Sequence, residues 1–243
     1  MVIYLDNNGT TAVCKQARVD QEIWSREPYN PSSNNVFANK AKLMIENSKK
    51  IIATCLKVSC KDYHILYTSG GSESNSMLIT SITESKKNPH IVISSIEHKG
   101  VLETCAGLCK KCGIEFSLVK PNKSGIITLE AVKKEIKKNT CLISIMYANN
   151  ETGVINDIVE IGSFAKDKGI PFHCDAVQAF GKVPISMQKL NIDFLSASSH
   201  KIYGPKGVGI LVLRRDLVTK LRLRGQISGS QQETLRGGTE NVG

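Results

Sequence analysis

No stretch of this sequence is apolar over the roughly 20 residues that a membrane-spanning helix needs. The first residues, Met1 to Asp6, contain neither the basic segment nor the apolar segment of a secretory signal. The chain also lacks internal repeats, low-complexity tracts and flexible linkers. We therefore expect a cytoplasmic protein with no membrane partner, whose 243 residues bury a sizeable core.

The sequence has eight cysteines but no sign of a disulfide framework, because thiols in a chain without a secretory signal are expected to stay reduced. Cys105, Cys109 and Cys112 follow the spacing C-x3-C-x2-C, which is typical of the iron–sulfur loop of radical enzymes that use S-adenosylmethionine. The surrounding residues 101–112 have the periodicity of one amphipathic helix. We therefore predict helical core cysteines here and no metal site.

A recognisable nucleic-acid-binding module is also missing, although the formal net charge is +10. The lysines are scattered among glutamates, and only residues 214–224 are locally dense in arginine and lysine. A charged run of this kind is usually a solvated face. We therefore predict no nucleic-acid partner.

What is present is an alternation of β-rich and helix-period segments. The β-rich runs are residues 65–68, 91–94, 115–119, 141–146, 170–173, 194–197 and 209–213, and the helix-period segments are 35–56, 73–84, 101–112, 129–137 and 158–168. This alternation predicts an α/β protein with a mostly parallel sheet and helices on both faces. Ligands of such sheets bind at the carboxyl ends of the strands.

Lys201 lies in the most informative segment, after a strand-like run and before a glycine-rich turn, with Ser198, Ser199 and His200 beside it. A partly desolvated lysine next to other donors has a lowered pKa and forms Schiff bases with aldehydes. Upstream, Asp175 follows another apolar run. An acid that pairs with a pyridinium nitrogen, together with a Schiff-base lysine, is what pyridoxal phosphate chemistry requires.

Three further turns carry weaker signals. Gly70 and Gly71 open a helix after the first strand, where an anion such as phosphate fits, although a simple helix cap explains them equally well. His98 follows the second strand and can stack on a cofactor ring or move protons, or else cap a helix. Asn150 follows the fourth strand-like run and can bind a ring hydroxyl or a carboxylate, or else belong to a plain turn.

Taken together, these segments resemble the group I cysteine desulfurases, the NifS/IscS-like branch of the fold type I pyridoxal phosphate enzymes. The matching segments are residues 4–11, 30–33, 68–75, 97–99, 149–153, 175–178, 199–201 and 236–241. The resemblance implies that residues 1–243 form the large, cofactor-binding domain, with a mostly parallel seven-stranded sheet. It also implies that the family's C-terminal small domain is absent from this chain and that residues 1–15 pack toward it.

The resemblance implies a role for each matching residue around the ring of pyridoxal 5'-phosphate. Lys201 would bond covalently to the cofactor and later move the proton of the substrate α-carbon. Asp175 would pair with the pyridinium nitrogen, and Gln178 would bond the ring hydroxyl. His98 would stack on the ring and act with Lys201 in catalysis, while Asn150 would lie near the ring hydroxyl and the substrate carboxylate.

The resemblance also implies a phosphate site and a dimer. Gly71, Ser72, Ser198 and His200 would hold the cofactor phosphate. In the family, a threonine equivalent to Thr239 reaches the phosphate of the neighbouring subunit, so a homodimer with shared sites is expected.

The reaction that the resemblance implies removes sulfur from L-cysteine, leaving alanine and a persulfide for a sulfur-acceptor protein in iron–sulfur cluster assembly or tRNA thiolation. The family's nucleophilic cysteine and substrate-binding arginine follow the segment that contains Thr239. None of the eight cysteines here follows Lys201. We therefore expect this chain to be inactive or incomplete as given, either as part of a longer desulfurase or as a short relative that lost desulfuration.

Two other functions remain as alternatives. Another fold type I enzyme, such as an aminotransferase or a β-lyase, needs no protein thiol. A non-catalytic scaffold would use the basic surface to bind an acidic partner, but it would need none of Lys201, Asp175, His98 and Gln178.

Overall fold

The computed structural model describes residues 3–225 and 231–243, which fold around one seven-stranded sheet. In chain order the elements are α1 (Lys15–Ser25), α2 (Val36–Leu56), β1 (Tyr63–Thr68), α3 (Gly71–Glu84), β2 (His90–Ser94), α4 (Lys99–Cys112), β3 (Glu115–Val119), α5 (Leu129–Glu135), β4 (Thr140–Ser144), α6 (Ile158–Lys168), β5 (Phe172–Asp175), β6 (Phe194–Ser198), β7 (Gly209–Arg214) and α7 (Arg215–Leu221). Short 3-10 turns cover Ser199–Lys201 and Gln232–Thr234.

The strand order in the sheet is β1-β7-β6-β5-β4-β2-β3. Strands β6, β5, β4, β2 and β3 are parallel, whereas β7 is antiparallel to both of its neighbours, β6 and β1. The prediction of a mostly parallel seven-stranded sheet is confirmed. Because β1 has the same direction as β6, the carboxyl ends of β1, β2, β4, β5 and β6 lie at one edge.

Each central strand contributes side chains to two hydrophobic cores, because successive residues of a strand face opposite sides of the sheet. Ile91 and Ile93 pack with apolar residues of α3, α4 and α7, whereas Val92 between them packs with residues of α2, α5 and α6. Phe172 packs in the same core as Val92, and Phe194 packs in the same core as Ile91 and Ile93. The predicted arrangement of helices on both faces is therefore confirmed.

Capping residues explain why several helix ends lie where the sequence predicts them. The side chains of Asn35, Thr128 and Asp157 accept hydrogen bonds from backbone N–H groups in the first turns of α2, α5 and α6. Gly113 and Gly169 end α4 and α6 with φ of 68° and 65°, in the left-handed region that glycine tolerates.

Some elements differ from the sequence-based expectation. Helix α1 was not predicted, and none of its residues is buried, although its apolar Val19 and Ile23 lie one helical turn apart. Helix α7 begins in the basic segment, where we considered only the charge, yet Leu217 and Leu221 are buried on its inner side. Strand β5 runs to Asp175, two residues beyond its predicted end at His173.

The predicted helix around the cysteines is confirmed as α4, but its three cysteines are not all core residues. Cys105 is buried, whereas Cys109 and Cys112 are exposed, which corrects the prediction for those two. Within residues 3–225 and 231–243, no group of three or more His, Cys, Asp or Glu side chains is arranged to hold a metal ion. No helix in the described part of the chain has the length and apolar character needed to cross a membrane.

Candidate active site

A cavity of about 580 Å³ opens at the edge of the sheet where β2, β4, β5 and β6 end. Its volume lies within the range of about 300–1,000 Å³ that small-molecule sites occupy. The cavity brings together all the predicted site residues except Thr239, namely Gly71, Ser72, His98, Asn150, Asp175, Gln178, Ser198, His200 and Lys201. The N-terminal residues Asp6, Asn8 and Gly9 form part of its wall.

Lys201 is the last residue of the 3-10 turn that follows β6. Its Nζ donates to the carbonyl oxygen of Gly9 at 2.7 Å and to that of Asn8. Partial burial lowers the pKa of Lys201, and the nearby ammonium group of Lys182 lowers it further. A lowered pKa increases the share of neutral amine, which is the nucleophilic form.

Asp175 ends β5 and is almost fully buried, with 3% of its surface exposed. Its Oδ1 accepts from the backbone N–H of Val177 at 3.0 Å, and its Oδ2 accepts from Asn75 Nδ2 at 2.7 Å. Burial raises the pKa of Asp175, whereas these two donors and the neighbouring His98 and Lys201 oppose the rise. A carboxylate held by two donors at the floor of a cavity can accept a hydrogen bond from a ligand cation.

The N-terminus of α3 forms one end of the cavity through Gly71 and Ser72. A Cβ on Gly71 would lie 2.6 Å from Val177 Cγ2, so the helix and the residues after β5 approach too closely for a side chain. A Cβ on Gly70 would lie 3.8 Å from Ser198 Oγ. Helix N–H groups with a serine hydroxyl nearby suit an anion.

His98 has the capping role considered from the sequence and also faces the cavity. It is the N-cap of α4, where its Nδ1 accepts from the backbone N–H of Gly100 at 3.0 Å. It also lines the cavity. Because Nδ1 accepts, a neutral His98 carries its proton on Nε2.

Gln178 is tied to the N-terminal segment. Its Nε2 donates to the carbonyl oxygen of Asn8 at 2.8 Å, and its Oε1 accepts from Lys182 Nζ at 2.9 Å. Lys182 was not predicted from the sequence; it lies four residues after Gln178, and the hydrogen-bonded turns that follow β5 bring the two side chains together.

The two adjacent asparagines divide the roles between them. Asn149 forms the turn, because its Oδ1 accepts from the backbone N–H groups of Glu151 and Thr152 at 2.9 and 2.8 Å. Asn150 lines the cavity. The plain-turn interpretation therefore describes Asn149, and Asn150 is available to a ligand.

Two buried side chains beside the cavity were missed at the sequence level. Asn75 is 1% exposed on α3, and Glu97 is 5% exposed after β2. Burial raises the pKa of Glu97 to about 8, and the nearby Asp175 raises it too. A signal for Asn75 was present, because this polar residue lies three positions before the buried Leu78 on the packed side of the helix.

Thr239 does not reach the cavity of its own chain and is exposed. The segment before it is anchored by Arg236, whose Nε and Nη2 bond the two carboxylate oxygens of Glu73 at 2.6 and 3.1 Å. Burial alone would raise the pKa of Glu73, but hydrogen bonds from Arg236 and Ser69 outweigh burial and lower the pKa to about 2.

The sequence model of the aminotransferase class-V family matches residues 3–242. The cysteine desulfurase IscS of Methanosarcina thermophila is 42% identical over 99% of this chain and 59% of its own length, and that of Dictyoglomus turgidum is 40% identical over 99% and 60%. This chain therefore spans about 60% of the length of these relatives. Among solved structures, SspA in complex with cysteine has a TM-score of 0.92 and 38% identity, covering 99% of this chain and 69% of that one. A NifS-like protein has a TM-score of 0.92 and 37% identity, covering 100% of this chain and 66% of that one.

Proposed function

Since the chain belongs to the aminotransferase class-V family, and is related to IscS and NifS cysteine desulfurases, we propose that it holds pyridoxal phosphate and binds L-cysteine as the large domain of a cysteine desulfurase. The domain would cover residues 1–243, of which 1–2 and 226–230 lie outside the described residues. Residues 1–15 would face the small domain that relatives of this family carry.

The observation that carries this proposal is the grouping of a lysine, a buried carboxyl and a helix N-terminus around one cavity. Lys201 and Asp175 are close enough for each to affect the pKa of the other. The cavity therefore offers an amine for an aldehyde, an acid for a pyridine nitrogen and an anion site for a phosphate. These are the three chemical features of pyridoxal phosphate.

The cofactor would supply an electron sink for the carbanion that forms when the substrate loses its α-proton. Lys201 would anchor it, and once displaced by the substrate amine, Lys201 would take the α-proton and return it. Its lowered pKa suits this work, because a base with a pKa nearer the working pH is present in its neutral form more often.

The remaining residues would bind and orient. The Asp175 carboxylate would keep a proton on the ring nitrogen, while Asn75 and Val177 N–H hold that carboxylate in place. His98 would stack on the ring, and Gln178 and Asn150 would bond the ring hydroxyl or the substrate carboxylate. The cofactor phosphate would be held by Gly71, Ser72, Ser198 and His200.

The full desulfurase reaction balances as L-cysteine plus a protein thiol giving alanine plus a protein persulfide. The substrate C–S bond breaks, an S–S bond forms, and sulfur then passes to an acceptor protein for cluster assembly or tRNA thiolation. The thiol would come from the region that longer relatives carry.

The exposed Thr239 would complete the phosphate site of a neighbouring subunit in a homodimer. The enzyme would be located in the cytoplasm.

A second candidate is a reaction that needs no protein thiol, such as transamination or β-elimination. One observation favours it: within the described residues, no cysteine lines the cavity. Cys174, which adjoins Asp175, is fully buried, and burial raises its pKa well above the usual value, so it is a poor nucleophile.

Product analysis separates the two candidates. The chain is incubated with pyridoxal phosphate, L-cysteine and a small-molecule thiol in place of the missing protein thiol. Alanine with thiol-bound sulfane sulfur supports the desulfurase proposal. Pyruvate with free sulfide supports β-elimination, and a thiol-containing keto acid with aminated cofactor supports transamination.

A further inference from the structure

We infer that Glu97 is a positioning residue that works as a neutral carboxylic acid. Its carboxyl group links the segment after β2 to the segment after β4 through hydrogen bonds. Because Glu97 keeps its proton, Asp175 is the charged carboxylate at the cavity floor. The link between the segments stands on geometry alone. Its consequence for the cofactor rests on the proposed function.

The tie is a pair of hydrogen bonds to a single oxygen. Glu97 Oε1 accepts from Ser94 Oγ at 2.5 Å and from the backbone N–H of Met146 at 2.8 Å. Ser94 ends β2, and Met146 lies two residues beyond the end of β4. The carboxyl group thus continues the contact between these strands past the point where their ladder of backbone hydrogen bonds ends.

A second bond runs between the same two segments in the opposite direction. Asn149 Nδ2 donates to the carbonyl oxygen of Ile96 at 2.9 Å. His98 and Asn150, which line the cavity, directly follow Glu97 and Asn149 in the chain. The two ties therefore fix the backbone from which both ligand-facing side chains project.

The protonation state follows from what the two carboxyl oxygens contact. Oε2 of Glu97 is buried and has no hydrogen-bond partner among residues 3–225 and 231–243. An ionised carboxylate with one bare oxygen in this environment would be costly. A proton on Oε2 leaves a neutral O–H without an acceptor, which costs less than a buried charge.

The titratable groups that face Glu97 strengthen this assignment. Within residues 3–225 and 231–243 they are Asp175 and Cys174 on β5 and Cys105 on α4, and none of these three is a cation. Asp175, in contrast, has a donor on each oxygen and faces His98 and Lys201. Of the two buried carboxyls, Glu97 keeps its proton, and burial raises its pKa to about 8.

The protonation state of Glu97 in the folded chain is tested by urea unfolding of the cofactor-free wild type and of Glu97→Gln between pH 5 and 9. A carboxyl whose folded pKa exceeds its unfolded value of about 4.5 binds more protons when folded, so wild-type stability falls as pH rises from about 4.5 to about 8. Glutamine removes this loss. The ratio of the variant's folding equilibrium constant to that of the wild type should therefore rise by up to about tenfold per pH unit. This rise should stop above about pH 8.

The matched control is Glu103→Gln on the exposed side of α4, whose difference from the wild type should stay flat over the same range. A flat or falling curve for Glu97→Gln would mean that Glu97 is ionised when folded, and the inference would be wrong. This experiment does not involve the cofactor, so its outcome is independent of the proposed function.

The positioning role is tested by the dissociation constant of pyridoxal phosphate at pH 7. Glu97→Gln retains the accepting oxygen and should bind within about threefold of the wild type, whereas Glu97→Ala should bind about tenfold more weakly, the scale of one lost buried hydrogen bond. If the alanine variant does not fold, Glu97→Asp, whose shorter side chain falls short of Met146 N–H, takes its place. Equal affinity of all variants overturns the role, whereas no binding by the wild type itself overturns the proposed function instead.

Discussion

Asn75 donates its Nδ2–H to Oδ2 of Asp175 across 2.7 Å, so the first turns of α3 hold the carboxylate that ends β5. The two residues are 100 positions apart in the chain and meet only because α3 packs against the central strands. The contact joins α3, whose N-terminus forms one end of the cavity, to the acidic residue at the cavity floor.

Replacing Asn75 by alanine should therefore weaken both the fold and the site. Asp175 Oδ2 would lose its only side-chain donor among the described residues, which costs about 1–3 kcal/mol of unfolding free energy. The dissociation constant of pyridoxal phosphate should rise about tenfold. Urea unfolding and cofactor titration measure the two effects, with the neighbouring Ser76→Ala as control; the contact is unimportant if both variants behave alike.

Gly71 is required by the close approach of α3 to the residues after β5. Alanine at this position would bring its Cβ to 2.6 Å from Val177 Cγ2, so Gly71→Ala should lower the unfolding free energy by about 1–3 kcal/mol and weaken cofactor binding. Adding Val177→Ala removes the clashing methyl group and should restore part of both. A double-mutant cycle measures this coupling, and strictly additive effects would contradict the steric explanation.

The ion pair between Arg236 and Glu73 should stabilise the chain fully above pH 4.5 and progressively less below it. The folded pKa of Glu73 is lowered to about 2 from an ordinary value of 4.5, so its contribution is complete above pH 4.5 and disappears as pH falls toward 2. Arg236→Gln should cost about 1 kcal/mol at pH 7, given that both side chains retain some exposure.

The check on the ion pair is urea unfolding at pH 7, pH 3 and pH 2. The difference in unfolding free energy between the wild type and Arg236→Gln should be largest at pH 7, smaller at pH 3 and smallest at pH 2. A constant difference would show that Arg236 acts through packing rather than through the charge of Glu73.

Most of the fold was predictable because the central strands are nearly continuous apolar runs between turn residues. A parallel strand that is buried on both faces, such as β2, is typically a nearly continuous run of apolar residues in the sequence. Helix α1 was missed although Val19 and Ile23 lie one turn apart, and these apolar side chains stay exposed rather than joining the core. Helix α7 was hidden by its arginines, which conceal the buried Leu217 and Leu221.

The residues of the candidate site also fall into two groups: some could be predicted from their own segment, and others depend on contacts with distant segments. Lys201, Asp175 and Gly71 were predictable because each lies at or just after the end of a strand. The chemical reason for each residue type is also visible in its own segment. Asn75, Glu97 and Lys182 act on the site through contacts with other segments. No local pattern records which segments will meet, so only the fold reveals the roles of Glu97 and Lys182. Asn75 carried a partial signal, because its spacing to Leu78 places it on the packed side of α3.

The visible absorption spectrum with pyridoxal phosphate tests the central claim most directly. The wild-type chain should acquire the band of a lysine-bound cofactor, and L-cysteine should change that band. Lys201→Ala should lack the band, whereas the exposed and distant Lys189→Ala should retain it. An identical spectrum in the wild type and Lys201→Ala, or no band in the folded wild type, would contradict the assignment of this cavity as a pyridoxal phosphate site.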